Sequence, residues 1–205
     1  MAEPRSRVLA STALFTALTL ALNLSPIKFP APFAPFLYYQ IWEIPIVAAL
    51  LIYGLKVGAA VTIINTAALI ALFPGALPTG PLYNMVAVLS MLLAIYAIVK
   101  MRGSASNLGG TTLILSTLLG IVSRVVVMTI MNYALIRYPP PLGFSMPEES
   151  ILVLLPLIAA FNATLALYTI PIGYLVAKAV ASKIQIVGQT TSRSWKRSSN
   201  MKHKR

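Results

Sequence analysis

Arg124-Val-Val-Val-Met-Thr-Ile-Met-Asn132-Tyr133 decides the fold, because it sets a permanent cation inside an apolar run from Thr111 to Ile136. That run is too hydrophobic for a soluble helix and long enough to cross a bilayer. Arg124, Met128 and Asn132 recur every fourth residue, so they share one helix face. An arginine near mid-membrane costs about 2.5–3.5 kcal/mol on insertion scales. A chain that keeps one there needs a partner for it inside a bundle. The rest of the sequence reads as supplying that partner and a pocket around it.

Composition agrees. The 205 residues are 58% hydrophobic and 10% charged, with a mean hydropathy of +0.83. Soluble domains carry about a quarter charged residues, so this is the composition of an all-α integral membrane protein. Sixteen basic residues against four acidic ones suggest nucleic acid at first, but most of them fall in short loops and the tail. There they are better placed to meet anionic lipid than nucleic acid. The absence of cysteine removes disulfides and thiol chemistry. The single histidine, His203, lies in the tail, which leaves metal sites and Ser-His catalysis almost nothing to use.

Six apolar segments follow in order, at about Val8–Asn23, Ile41–Gly54, Val57–Phe73, Leu82–Val99, Thr111–Ile136 and Ile151–Ala177. The first follows Arg5 and Arg7 as a signal peptide would, with Ala21 near a candidate cleavage site. Its length and its alanines favour a retained helix: Ala13, Ala17 and Ala21 make a flat stripe for packing, within this protein or against another subunit. Four prolines interleave with five aromatic residues between Ser25 and Tyr39, which forbids a helix and predicts an extended segment at the membrane surface. It serves either as an aromatic anchor or as a lid over a ligand. The second segment is short for a full span. Pro156 and Pro171 are expected as kinks in the sixth, and Arg137–Glu149 forms a second proline-rich loop. Residues 1–182 thus make one six-helix membrane domain, and residues 183–205 a basic tail expected to be disordered.

With the N-terminus in the cytoplasm, thirteen basic residues fall inside and two, Lys28 and Arg137, outside. This positive-inside bias predicts a multi-pass protein of the cell membrane with both termini cytoplasmic. Counting along the helices then puts Glu43, Asn84 and Asn132 in the outer quarter, and Arg124 with Asn162 about a dozen residues down. Each alone is more often interhelical glue. Five at coordinated depth, beneath two aromatic loops, predict an outward-opening binding site.

These residues resemble a known family. Segments two to six are similar to the substrate-binding S components of energy-coupling factor (ECF) vitamin transporters, the riboflavin-binding branch in particular. The resemblance rests on Ile41-Trp-Glu43-Ile-Pro45 with Gly54-Leu-Lys-Val-Gly58, on Thr79-Gly80-Pro-Leu-Tyr-Asn84, on Val127-Met128-Thr129 through Asn132-Tyr133, and on Leu155-Pro-Leu-Ile-Ala-Ala-Phe161-Asn162. The alanine stripe resembles the face by which such proteins dock to a shared membrane coupling subunit that works with paired ATPases. The resemblance implies a six-helix vitamin-binding subunit with no ATPase of its own and no cofactor, carrying riboflavin as its transported ligand. Asn132 and Asn162 would hydrogen-bond the flavin's polar edges, with Asn84 and the backbone of Leu37, Tyr38 and Tyr39 nearby. One departure weakens riboflavin. Where the family leads us to expect a lysine three residues after Asn162, this chain has Leu165, and Arg124 is then the remaining cationic donor. Another vitamin or small heterocycle is the alternative ligand.

Two other classes are weighed. An intramembrane enzyme needs paired carboxylates, a metal cluster or a Ser-His pair, and of four acidic residues Glu43 alone lies near a helix-lined site. A stand-alone carrier driven by an ion gradient tends to show inverted repeats and intramembrane carboxylates, and neither is evident. The stripe supplies a test. Ala17→Trp should abolish uptake while leaving ligand binding by the isolated subunit nearly intact; joint loss of binding and uptake would show that the stripe packs inside the protein.

Overall fold

A computed structural model describes the backbone of residues 5–72, 77–102 and 109–202, and the side chains of residues 6, 8–72, 77–102 and 109–183. In chain order it contains α1 (Arg5–Leu24), β1 (Phe29–Ala31), β2 (Ala34–Tyr39), α2 (Glu43–Tyr53), α3 (Leu55–Leu72), α4 (Gly80–Met101), α5 (Gly110–Leu135) and α6 (Glu148–Lys202). Residues 183–205 were expected as a disordered tail; the backbone of α6 is helical as far as Lys202, and the side chains from 184 onward lie outside the described residues.

Local chemistry sets these boundaries. Glu43 occupies the first turn of α2, where a carboxylate meets the positive end of the helix dipole. Pro45 follows within that turn, where its missing N–H costs no helix bond. Gly54 ends α2 at φ 88°, a left-handed conformation that only glycine adopts freely, and the chain restarts at once as α3. Gly80 and Pro81 open α4, with proline's fixed φ suited to a first turn. Glu148 and Glu149 open α6, and Pro156 and Pro171 both lie within that continuous helix.

The aromatic stretch is extended, as its prolines predict, and it is also paired. β1 and β2 form an antiparallel hairpin with Phe29 opposite Tyr39 and Pro30 opposite Tyr38, and the register breaks between Pro30 and Ala31. Proline is tolerated here because the hairpin has two edges and no central strand.

α2 to α6 close into a ring in which each helix packs on the next and α6 returns to α2, while α1 lies outside against α2 and α3. Four helices (α3, α4, α5 and α6) are long and apolar enough to cross a membrane, so this is a multi-pass membrane protein; α2, at eleven residues, falls short of that length. At 1.5 Å per residue, the eleven residues of α2 reach about 17 Å, roughly half of a bilayer core. The main core occupies the end of the ring away from the hairpin, where Ile46, Val47, Leu50, Val88, Met91, Ile95, Ile170 and Tyr174 interlock. Ala13, Ala17 and Ala21 all face outward from α1, while Ser11, Thr16 and Thr19 face the bundle.

Close helix approach depends on two glycines. A Cβ on Gly173 of α6 would sit 2.7 Å from Val47 Cβ and 3.2 Å from the Ile44 carbonyl oxygen, so α2 itself blocks it. A Cβ on Gly120 would overlap the Cδ1 end of the Ile170 side chain, at 2.5 Å, and otherwise make ordinary contacts with Met91 and Ile95. Overpacking of this kind costs about 1–3 kcal/mol where the neighbours cannot move. Gly173→Ala should therefore lower the melting temperature in detergent clearly, and Gly120→Ala much less. Equal melting temperatures for both variants and the wild type would contradict this packing.

Candidate ligand-binding site

A cavity of about 580 Å³ opens inside the hairpin end of the ring. Its walls come from α4 (Gly80, Tyr83, Asn84), α5 (Arg124, Met128, Asn132) and α6 (Leu154, Ile158, Phe161, Asn162). Its roof comes from Phe36 and Leu37 of the hairpin and from Phe144 and Met146 of the α5–α6 loop. The four-residue spacing of Arg124, Met128 and Asn132 continues to Ile136, so one stripe of α5 lines the wall for about 18 Å. Leu154, Ile158 and Phe161 repeat the pattern on α6. The volume and the mostly apolar lining with a few converging polar groups are those of a small-molecule site.

The floor is an ion pair. Arg124 Nη1 donates to Glu43 Oε2 at 2.6 Å, Nη2 donates to Glu43 Oε1 at 2.9 Å, and both side chains are 2% exposed. This fork-to-fork geometry is the strong form of a carboxylate–guanidinium pair. Arg124 Nε donates to Asn162 Oδ1 at 2.9 Å, which joins α2, α5 and α6 at one level. Asn162 Nδ2 donates to the Ile158 carbonyl and Asn132 Nδ2 to the Met128 carbonyl, so both amides are oriented by their own helices.

Arg124 and Asn162 lie at one depth, as the helix count predicts. Glu43 departs from that count. It was expected in the outer quarter beside Asn84 and Asn132, yet it meets Arg124, two turns below Asn132. The cause is that α2 begins within the ring, under the hairpin. Arg124 is consequently not an uncommitted cation for a ligand, since Glu43 already neutralises it. Leu165, which stands where a lysine was expected, is buried and does not line the cavity.

The loop residues divide. Leu37 lines the cavity, whereas Tyr38 is exposed and Tyr39 turns to α6. There the Tyr39 hydroxyl pairs with Thr164 Oγ1 at 2.6 Å and its ring lies 5.0 Å from that of Phe161. Tyr168 donates to the Gln40 carbonyl at 2.5 Å, a second latch just past the end of β2. The opposite roof is fastened to α4, with Thr79 donating to the Pro141 carbonyl and Tyr83 to that of Leu142 at 2.6 Å. Gly143 completes it, because a Cβ there would overlap the carbonyl oxygens of Leu135, Ile136 and Tyr138. Sequence reasoning missed Tyr83, Ile158, Phe161, Phe144 and Met146 as lining residues. For Ile158 and Phe161 the signal was present, in their helical spacing with Asn162.

Among the described residues no group of three His, Cys, Asp or Glu side chains could hold a metal ion. The arrangement suits binding: apolar and aromatic walls, two oriented amides and a roof in two parts.

No protein-family model and no curated protein matches this sequence. Solved structures do match its fold. The S component of a bacterial ECF transporter superposes with a TM-score of 0.71 at 23% identity, over 88% of this chain and 99% of that one. The S component for biotin from an ECF-type ABC transporter superposes with a TM-score of 0.58 at 19% identity, over 87% of this chain and 95% of that one. At these identities the likeness is one of fold.

Breaking a buried pair by removing one partner typically costs about 3–5 kcal/mol, because the other charge stays buried and unmatched. Arg124→Met should therefore cut the folded yield sharply, and adding Glu43→Gln to it should restore most of that yield. Fluorescence-detected gel filtration of the membrane extract reads both. A double variant no better than Arg124→Met would contradict the pairing.

Proposed function

We propose that this chain is the high-affinity substrate-binding membrane subunit of an ECF-type importer, and that it takes up riboflavin or a related flavin. The cavity carries this reading: it is sized for a ring ligand, walled by apolar and aromatic side chains, and furnished with two fixed amides. Planar heteroaromatic ligands stack on aromatic and methionine side chains while a few polar groups set their orientation. The shared fold with two S components supports the transport role. The sequence motifs favour a flavin, whereas Leu165 and the biotin subunit's similar fold support a second reading, another vitamin in the same cavity.

In this reading all six helices belong to the membrane domain of residues 1–182, the hairpin faces outside and both termini face the cytoplasm. The charge asymmetry supports that orientation. The outward stripe of Ala13, Ala17 and Ala21 docks to the transmembrane coupling subunit, which the paired ATPases drive; its exposure and small side chains support this. The basic tail lies against the anionic inner leaflet. The protein binds and hands over its substrate without chemical change.

Calorimetric titration with riboflavin tests the site. Asn132→Ala should leave a buried ligand group unpaired and weaken binding by about 1–3 kcal/mol, roughly ten- to a hundredfold. Asn162→Ala should cost at least as much, because it also strips the acceptor from Arg124 Nε. Unchanged affinity in both variants would sink the proposed site.

A further inference from the structure

Arg124 is the one charged side chain among the described residues lining the cavity, and its donors can be counted. A guanidinium has five N–H groups. Nε goes to Asn162, one Nη1 hydrogen to Glu43 and the other toward Met91 Sδ at 3.9 Å, and one Nη2 hydrogen to Glu43. Four of the five are committed, and the charge is matched. Asn162 has its oxygen taken by Arg124 and one amide hydrogen by Ile158, which leaves a single N–H. Asn132 gives one hydrogen to Met128 and keeps its oxygen and a second N–H. What remains for a ligand is one guanidinium N–H, one N–H of Asn162, the oxygen and one N–H of Asn132, the Asn84 amide and the Tyr83 hydroxyl oxygen, with no net charge.

An anionic ligand group brought to this floor would lose its water and find no free cation, which is costly in a low-dielectric site. An uncharged ring edge with neighbouring N–H and C=O groups loses little and fits the leftover amides. We infer that the Glu43–Arg124 pair makes this pocket select ligands whose buried end is an uncharged imide, lactam or ureide edge, with Arg124 a positioning residue that acts through Asn162. This rests on reading the cavity as the vitamin site, and it names a charge class within that reading. It also explains why a buried carboxylate and a buried guanidinium are kept where two apolar residues would pack: together they orient Asn162 while cancelling each other's field.

The test uses purified full-length protein in lipid nanodiscs, titrated with riboflavin and with a matched pair that differs in charge at the ring, nicotinic acid with nicotinamide. In the wild type the tightest ligand should be uncharged, and an amide should bind better than its acid. Glu43→Gln unmasks the cation and should move the acid-to-amide affinity ratio about tenfold toward the acid, the effect of one unmatched charge some 10 Å away at an effective dielectric near 20. Arg124→Gln leaves the carboxylate alone and should move that ratio about tenfold the other way. Glu43→Gln combined with Arg124→Gln is neutral again. It should return the ratio to the wild-type value with weaker binding overall, and it carries the comparison if a single variant fails to fold. A wild type that prefers the acid, or variants that lose affinity for acid and amide equally, overturns the inference, since a merely structural ion pair leaves the ratio fixed. If riboflavin does not bind but an uncharged amide does, with these ratio shifts, the flavin assignment falls and the charge selection stands.

Discussion

Glu43 and Arg124 stand 81 residues apart in sequence and meet through two hydrogen bonds at the centre of the helix ring. Neither tolerates burial alone. A guanidinium cannot shed its proton to escape an apolar environment, and helix association in lipid gains little from hydrophobicity, because lipid tails are as apolar as leucine. The pair therefore dictates where α2 must start: low enough for its first turn to reach the middle of α5. That requirement shortens α2 and leaves a gap above it.

The gap is the cavity. Below the pair, Met91 and the α2–α4–α6 core pack tightly; above it, α4, α5 and α6 line open space roofed by the hairpin and the α5–α6 loop. The two parts of the roof are held differently. The loop is tied to α4 and folded on its own carbonyls, with Phe144 and Met146 both hydrogen-bonded to Ile136. The hairpin hangs from the Tyr39 and Tyr168 contacts at its base, with Phe29, Phe33 and Phe36 exposed along it. Fewer buried contacts mean a lower cost of local opening, so the hairpin is the part of the roof that opens more readily.

Much of this was legible in the sequence. Apolar runs bounded by glycine, proline and charge located α1 to α5 and the start of α6 to within a few residues, though α6 continues well past the expected end at Ala177, and the four-residue spacing of Arg124, Met128 and Asn132 marked the lining face of α5. Helix counting brought Arg124 and Asn162 to one level, where they hydrogen-bond. It failed for Glu43, because depth was counted as if every helix began at the surface, and nothing in Ile41-Trp-Glu43 reveals that the chain has already descended beneath a hairpin. The direction of the Tyr39 ring was not legible for a related reason. Alternation along a strand sends neighbouring side chains to opposite faces, and without the strand register its ring could not be directed to Phe161. Residues lent by distant loops, such as Phe144 and Met146, carry no local pattern that marks them as lining a pocket.

The central claim is that this cavity holds a small uncharged heterocycle, a flavin in the first instance. It is tested most directly by denaturing freshly purified protein and identifying what it releases, by absorbance and mass. The account predicts about one equivalent of a neutral ring compound with flavin absorbance, displaced before denaturation by added riboflavin. A stoichiometric anionic ligand in its place, or protein that emerges empty and shows no saturable riboflavin binding, would contradict it.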